Sequence, residues 1–454
     1  MNDNSLSHDD KLLDSLAQRL LSNSTIPSQD YERYNIKRGL RNSDNTGVMA
    51  GITRICSVDG YYIDDGEKVP KEGHLRYRGL DLYDFVAGCK QDERFGFEEL
   101  VYLLLFGELP NRSQLDEFKA LLSENRELPF DFIEDVIMRA PSPNIMNKLG
   151  SSVTALYAYD ENPDDISVKN VLRQSVKLIA MLPSIMAYAY QVKRRYFYKK
   201  SMYIHTIKPE LGTAETVLRA IRSDKTFSDK EAKLLDLCLM IHADHGGGNN
   251  STFTTRCVTS TGTDTYSAIA AGIGSLKGFR HGGANIKVSE MVADIFENVR
   301  DTADEEAVSA YLHKIVRREA GDGSGLIYGM GHAVYTLSDP RAVILKRNAK
   351  ELAEEKGLLD EWKLLDIIER TAPAVFSEEK GIAKNICANV DLYSGLVYRT
   401  LGIPEDLYTP MFACARVAGW CAHRLEEIAT GGKIMRPAYK SLMRSDEYIP
   451  LSER

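Results

Sequence analysis

Apolar residues recur at helical spacing along most of this chain, and that pattern predicts a mainly α protein. The run FEELVYLLLFGEL (97–109) reads as a buried helix closed by Gly107 and Pro110. DKEAKLLDLCLMIHADH (229–245) keeps its apolar positions at helical spacing and delivers His242 and His245 near its C-terminal end. TYSAIAAGIGSLKG (265–278) is rich in small residues, which suits close helix–helix packing in a core. Further helical patterns fall at about 286–300, 304–319, 340–356, 361–370, 378–386, 392–401 and 406–429. Strand patterns are confined to about 51–78, where short β-rich runs are broken by glycine and proline. Strands and helices do not alternate regularly, which argues against a doubly wound sheet, and no repeat of 20–50 residues runs through the chain.

The most apolar run, VKLIAMLPSIMAYAYQV (176–192), is short for a membrane span and is interrupted by Lys177, Pro183 and Ser184, so it predicts a buried, kinked helix. The basic stretch after it, VKRRYFYKK (192–200), reads better as the solvated end of that helix than as a nucleic-acid surface. At 454 residues the chain has room for two domains or for one large domain and a smaller partner. Its 43% hydrophobic and 27% charged residues are ordinary for a soluble globular protein. A net charge of −8 argues against a nucleic-acid binder, while a local basic cluster still permits an anionic ligand. The seven cysteines are odd in number and form no C-x-x-C pair, which fits reduced thiols. The polar, acidic start reads as neither a secretory signal nor a transit peptide, so the expectation is a soluble cytoplasmic protein.

Two histidine–glycine turns stand out. HADHGGGNN (242–250) is echoed by FRHGGAN (279–285), and metal binding, a plain turn and a substrate pocket are all open readings of the first. His242 and His245 lie three apart, but zinc needs a third protein ligand, and neither H-E-x-x-H nor a Cys/His quartet is present. His242 follows LCLMI and reads as a hydrogen-bonded core histidine, whereas His245 sits at the glycine turn and is expected to face a pocket. His281 precedes Gly282, Gly283 and a predicted helix, a setting that favours a neutral imidazole able to donate to a developing oxyanion. GMGHAVYTLSDPRA (329–342) carries His332 and Arg341; NVDLYSGLVYRTLG (389–402) carries Asp391, for which a helix N-cap is the structural alternative. Together these groups suggest carbon-acid chemistry: a carboxylate base, a donor to an enolate oxygen, and arginine forks for a polyanion. Arg341, Arg416 and Arg436 are the candidate forks, with surface ion pairing as the alternative for each.

The motifs HADHGGGNNST, GSLKGFRHGGAN, GMGHAVYTLSDPRA and NVDLYSGLVYRTLGIP, with HLRYRGLDLYD and FEELVYLLLFGELPN upstream, resemble the citrate synthase family in order and spacing over about residues 47–440. The likeness is to the longer bacterial members with an N-terminal extension. It implies a mainly helical homodimer with the active site between a large and a smaller mobile domain. The corresponding boundaries are 1–46 for the extension, 47–281 with 396–454 for the large domain, and 282–395 for the small one. The implied reaction condenses acetyl-CoA with oxaloacetate to citrate and CoA, the entry step of the tricarboxylic acid cycle, without cofactor or metal.

By motif, the resemblance makes His281 the donor to the thioester oxygen, Asp391 the base and His332 the group that polarises oxaloacetate. It assigns oxaloacetate to His245, Arg341 and Arg416, and has Arg436 reach into the neighbouring subunit's site. CoA falls to Lys384 and to the loop carrying Tyr328, Gly329, Met330, Gly331, Ala333 and Val334. A 2-methylcitrate synthase using propionyl-CoA shares all these residues, and a non-catalytic relative is the remaining alternative. The chain departs from the common pattern at GFRH, which lacks a proline two residues before the histidine, and at SPN (142–144), where HPM is frequent. Phe279 would narrow the acyl pocket if its ring points inward, against packing on the neighbouring helix.

Overall fold

The computed structural model describes residues 8–42, 44, 46–381 and 385–454, and the chain divides into two compact units, Met1–Ala50 and Gly51–Arg454. In the first unit the helix His8–Ser24 exposes Leu12, Leu13, Leu16, Leu20 and Leu21, and a short helix, Ser28–Arg33, follows it.

The second unit opens with the predicted β segment. Strand Cys56–Asp64 pairs antiparallel with Glu67–Tyr77 around Asp65 and Gly66, both at positive φ (45° and 85°), the geometry a two-residue hairpin turn requires. A two-residue strand, Leu80–Asp81, completes the sheet. The hairpin packs on the segment that leads into the helix Pro340–Glu355: a Cβ on Gly73 would collide with the Ser338 carbonyl, so only glycine permits that approach.

Among the described residues, the remaining elements of this unit are all helices. Val168–Tyr196 runs unbroken through Pro183 and is buried along most of its length, so tertiary packing holds it together despite the missing N–H. Its basic end is solvated as the sequence suggests, with 195–200 exposed, while buried Lys193 bonds the Asp406 carboxylate at 2.5 Å. Tyr408–Ala429 packs against that helix and against Phe97–Phe106, Asp229–His242 and Asn250–Thr259. The small-residue helix Thr265–Lys277 packs closely, as its composition predicts: a Cβ on Gly272 would lie 3.2 Å from the Trp420 ring.

One expectation is corrected here. The patterns at 361–370 and 378–386 do not mark separate helices: Leu359–Lys380 is a single helix that continues through Pro373. Its buried face (Leu364, Leu365, Ile368, Ala372, Val375) carries on past the proline, and Gly381 ends it at φ 63°. Residues 382–384 lie outside the described residues. Among the described residues no helix is long and apolar enough to cross a membrane, and all seven cysteines are free thiols.

Candidate active site

Four segments of the second unit converge on one cavity of about 350 Å³. His242, His245, His281, His332, Arg341 and Asp391 all line it.

The first segment is the turn after Asp229–His242, a helix started by a capping box between Ser228 and Glu231. His242 donates from Nδ1 to the Cys238 carbonyl at 2.7 Å, as a core histidine should, and burial pushes its pKa down to about 3. His245 is 8% exposed, and its Nε2 has no hydrogen-bond partner among the described residues. Burial, then Arg341 and His332, holds it neutral. Asp244, between the two, fixes the turn. Its carboxylate accepts from the Gly246 N–H at 3.0 Å and meets His423 Nε2 at 3.2 Å, while its carbonyl accepts from the Tyr77 hydroxyl at 3.1 Å. Burial opposes its ionisation, but His423 and Arg416 outweigh that and hold the carboxyl near 2.

The second segment presents His281. Gly282 is required there, because a Cβ would run into the Leu276 carbonyl and, at 2.7 Å, the Thr409 methyl. His281 Nε2 lies 3.1 Å from the Ser251 hydroxyl, which also accepts from Trp420 Nε1 at 3.1 Å and donates to Asn249 Oδ1 at 2.9 Å. Its pKa falls to about 4, first through burial and then through Arg416. The imidazole is neutral, as the sequence predicts, but burial is the main cause.

The third and fourth segments are laced together. Gly329 and Gly331 sit at φ 81° and 90°, and a Cβ on Gly329 would lie 2.9 Å from the Leu392 backbone. Gly331 N–H donates to the Cys387 carbonyl (2.7 Å), and Asn389 N–H donates to the Gly329 carbonyl (2.8 Å). His332 Nδ1 accepts from the N–H groups of Val334 (3.0 Å) and Tyr335 (3.1 Å), and the ring stacks on Tyr335. A nitrogen accepting two such bonds carries no proton, so the proton of a neutral His332 ring sits on Nε2.

Asn389, not Asp391, caps the helix Val390–Thr400, a correction to the N-cap alternative for Asp391. Asp391 is thereby released to face the cavity from the first turn. Burial raises its pKa to about 6 against the pull of Arg341.

Two guanidiniums lie near these groups, of which Arg341 lines the cavity and Arg416 does not. Arg341 forks onto Asp339 from Nε (3.0 Å) and Nη2 (2.7 Å). Arg416, fully buried, donates from Nε to the His242 carbonyl at 2.6 Å and stacks on Phe412 at 4.5 Å. Its Nη1 and Nη2 have no hydrogen-bond partner among the described residues, and burial lowers its pKa to about 10.

Other sequence-picked residues lie apart. Arg436 is exposed on the C-terminal segment and does not line this cavity. Of the loop, only Gly331 and Ala333 line it; the Tyr328 hydroxyl instead bonds Asp322 at 2.7 Å, Met330 bridges to Ala388, and Gly329 and Val334 serve through their backbones. Lys384 lies outside the described residues. Phe279 is 79% exposed, so its ring neither narrows the cavity nor packs on a helix; its neighbour Arg280 lines the cavity instead. Sequence reasoning missed Asn389, Ser251, Asp244 and Tyr398. Asn389 alone left a signal, since Asn is a preferred cap before an apolar helix.

A helical fold that gathers a buried carboxyl, several imidazoles and a guanidinium around one cavity is suited to acid–base chemistry. The family description "Citrate synthase, C-terminal domain" matches residues 42–438. The chain is 33% identical over 414 residues to the citrate synthase of Synechocystis, covering 90% of this chain and 92% of that protein. It is 34% identical to that of Corynebacterium glutamicum over 404 residues, covering 86% and 87% respectively. Among solved structures, the ternary complex of citrate synthase from Thermoplasma acidophilum with carboxymethyl coenzyme A and oxaloacetate superposes with a TM-score of 0.74 at 26% identity, covering 92% of this chain and 99% of that one. The chain belongs to the citrate synthase family of carbon–carbon bond-forming acyltransferases.

Proposed function

We propose that the protein condenses acetyl-CoA with oxaloacetate and water to give citrate and CoA. The observation that carries the reading is the joint placement of Asp391, raised toward neutrality, and neutral His281 on one cavity, with the open donors of Arg416 buried behind the cavity-lining His242 and Phe412.

Asp391 takes a proton from the acetyl methyl group while His281 donates a hydrogen bond to the thioester oxygen, which becomes the enolate oxygen. Ser251 supports this placement: its hydroxyl anchors the ring by Nε2, so in this reading Nδ1 is the nitrogen turned to the thioester. His332, protonated on Nε2, polarises the oxaloacetate ketone. The enolate carbon attacks that ketone carbon, forming citryl-CoA, and water then cleaves the thioester. Arg341, Arg416 and His245 hold the oxaloacetate carboxylates. In this reading Gly331 and Ala333 border the CoA arm, together with the backbone of 328–334 and Lys384. No cofactor or metal takes part.

The reading extends to a cytoplasmic homodimer in which Arg436 completes the partner's cavity. It also divides the chain into a large part, 47–281 with 396–454, and a mobile part, 282–395, that closes over oxaloacetate. The test is thiol release from acetyl-CoA with and without oxaloacetate, with citrate identified as product. Absence of oxaloacetate-dependent thiol release overturns the reading.

A further inference from the structure

Two buried polar atoms in the cavity have no part in the reaction just described. The Tyr398 side chain lines the cavity at 1% exposure, and its hydroxyl has no hydrogen-bond partner among the described residues. Asn285 lines the cavity at 6% exposure, and its Oδ1 is likewise unpartnered, although its Nδ2 donates to the Ser394 hydroxyl. Native proteins rarely leave such groups unpaired, so each calls for an explanation.

The two belong to one end of the cavity. Tyr398 follows Asp391 by seven residues on the helix Val390–Thr400, two turns along the same face and roughly 10 Å along the axis. Helical side chains lean toward the N-terminus, so the phenol leans back toward the Asp391 carboxyl. Asn285 meets this helix one turn before Tyr398: a Cβ on Gly395 would lie 3.0 Å from Asn285 Oδ1. The Tyr408 ring closes the third side, 5.1 Å from that of Tyr398. Tyr398, Tyr408 and Asn285 thus adjoin one another as a floor of the cavity along the helix that carries Asp391.

We propose that this floor selects the acyl group by polarity as well as by size, with Tyr398 as the specificity-determining residue. The inference rests on the condensation reading. The only acetyl carbon beyond the thioester carbonyl is the one Asp391 deprotonates, so with acetyl-CoA a water can remain between the Tyr398 hydroxyl and Asn285 Oδ1. The second carbon of a propionyl group projects past the base into that space. It displaces the water and returns no hydrogen bond, stranding a donor and an acceptor. A pocket that discriminates only by fit separates neighbours differing by one methylene weakly; stranded polar groups add to that margin.

The experiment compares kcat/KM for acetyl-CoA and propionyl-CoA at saturating oxaloacetate in the native enzyme and in Tyr398→Phe. That substitution keeps the ring and removes the hydroxyl. The expected result is native preference for acetyl-CoA, with the acetyl-to-propionyl ratio falling roughly tenfold in the variant. An unchanged ratio overturns the proposal, as does a native enzyme that uses propionyl-CoA equally well or better; in both cases condensation itself stands. A native enzyme that releases no thiol from either acyl-CoA removes the condensation reading and this inference with it.

Discussion

Asn389 holds Gly331: its Nδ2 donates to the Gly331 carbonyl at 2.9 Å, while its Oδ1 accepts from the Asp391 N–H at 3.0 Å. One side chain thus sets the spacing between the residue preceding His332 and the proposed base. Asn389→Ala removes both bonds and the helix cap, lowering stability by about 1 kcal/mol. The larger effect falls on rate, because a small misplacement of reacting groups costs on the order of 100-fold. We expect kcat to fall by about that factor with CoA and oxaloacetate binding largely kept. A kcat within twofold of native would show that the segments hold their spacing without Asn389.

For Asp391→Asn the expected loss in kcat is at least two to three orders of magnitude, and for His281→Ala about the same. Asp391 adds a stability signature. Its folded pKa, raised to about 6, exceeds its ordinary value of 3.8, so the native state binds the proton more tightly than the unfolded chain. Stability contributed by this group is therefore full below about pH 4 and is lost as pH rises through about 6. Asp391→Asn should then be inactive yet raise Tm at pH 7, with the difference vanishing near pH 4. In the native enzyme kcat/KM should fall on the acid side near pH 6, while His281, at about 4, stays neutral across that limb. A variant no more stable at pH 7 than native would contradict the raised pKa.

Ser251→Ala leaves His281 Nε2 without the hydroxyl that anchors the ring. The expected outcome is a drop in kcat of roughly tenfold, the low end of a lost catalytic proton contact, with KM for acetyl-CoA little changed. A change confined to KM would mean that Ser251 shapes the CoA site instead.

Arg416→Lys keeps the charge and loses the fork. Because Nη1 and Nη2 are the open donors here, KM for oxaloacetate should rise by about 100-fold, read from initial rates at saturating acetyl-CoA. A native KM would exclude Arg416 from carboxylate binding.

Arg436 lies outside its own chain's cavity, so its proposed role is in trans. Mixing inactive Arg436→Ala and Asp391→Asn subunits should restore activity, since one site of each heterodimer has both residues intact. Verified heterodimers that stay inactive would refute the cross-subunit role.

Much of this was legible in sequence because periodicity and glycine turns report local physics. The apolar stripe of 229–242 predicts its helix, and paired glycines mark where backbone must approach closely, as at Gly282. Long-range pairing left no such trace. Nothing in HADHG announces that Asp244 meets His423, 179 residues away, and nothing in VDLY shows that Asn389 grips Gly331 across 58. The Pro373 error has the same root: the sequence shows the missing N–H but not the buried face that carries the helix past it.

As the proposed oxaloacetate ligand, buried Arg416 would also tie the lifetime of the folded chain to its metabolic surroundings. Its guanidinium is a desolvated cation whose outer nitrogens no described residue bonds, and in the proposed reading a bound four-carbon dianion would supply what they lack. Any ligand held only by the native state deepens that state, by about 2.7 kcal/mol at a hundredfold excess over Kd. Oxaloacetate supply would thus govern how often the chain opens to proteases. When that supply runs short, degradation would thin the enzyme pool with no change in synthesis; when it recovers, the same molecules would persist longer.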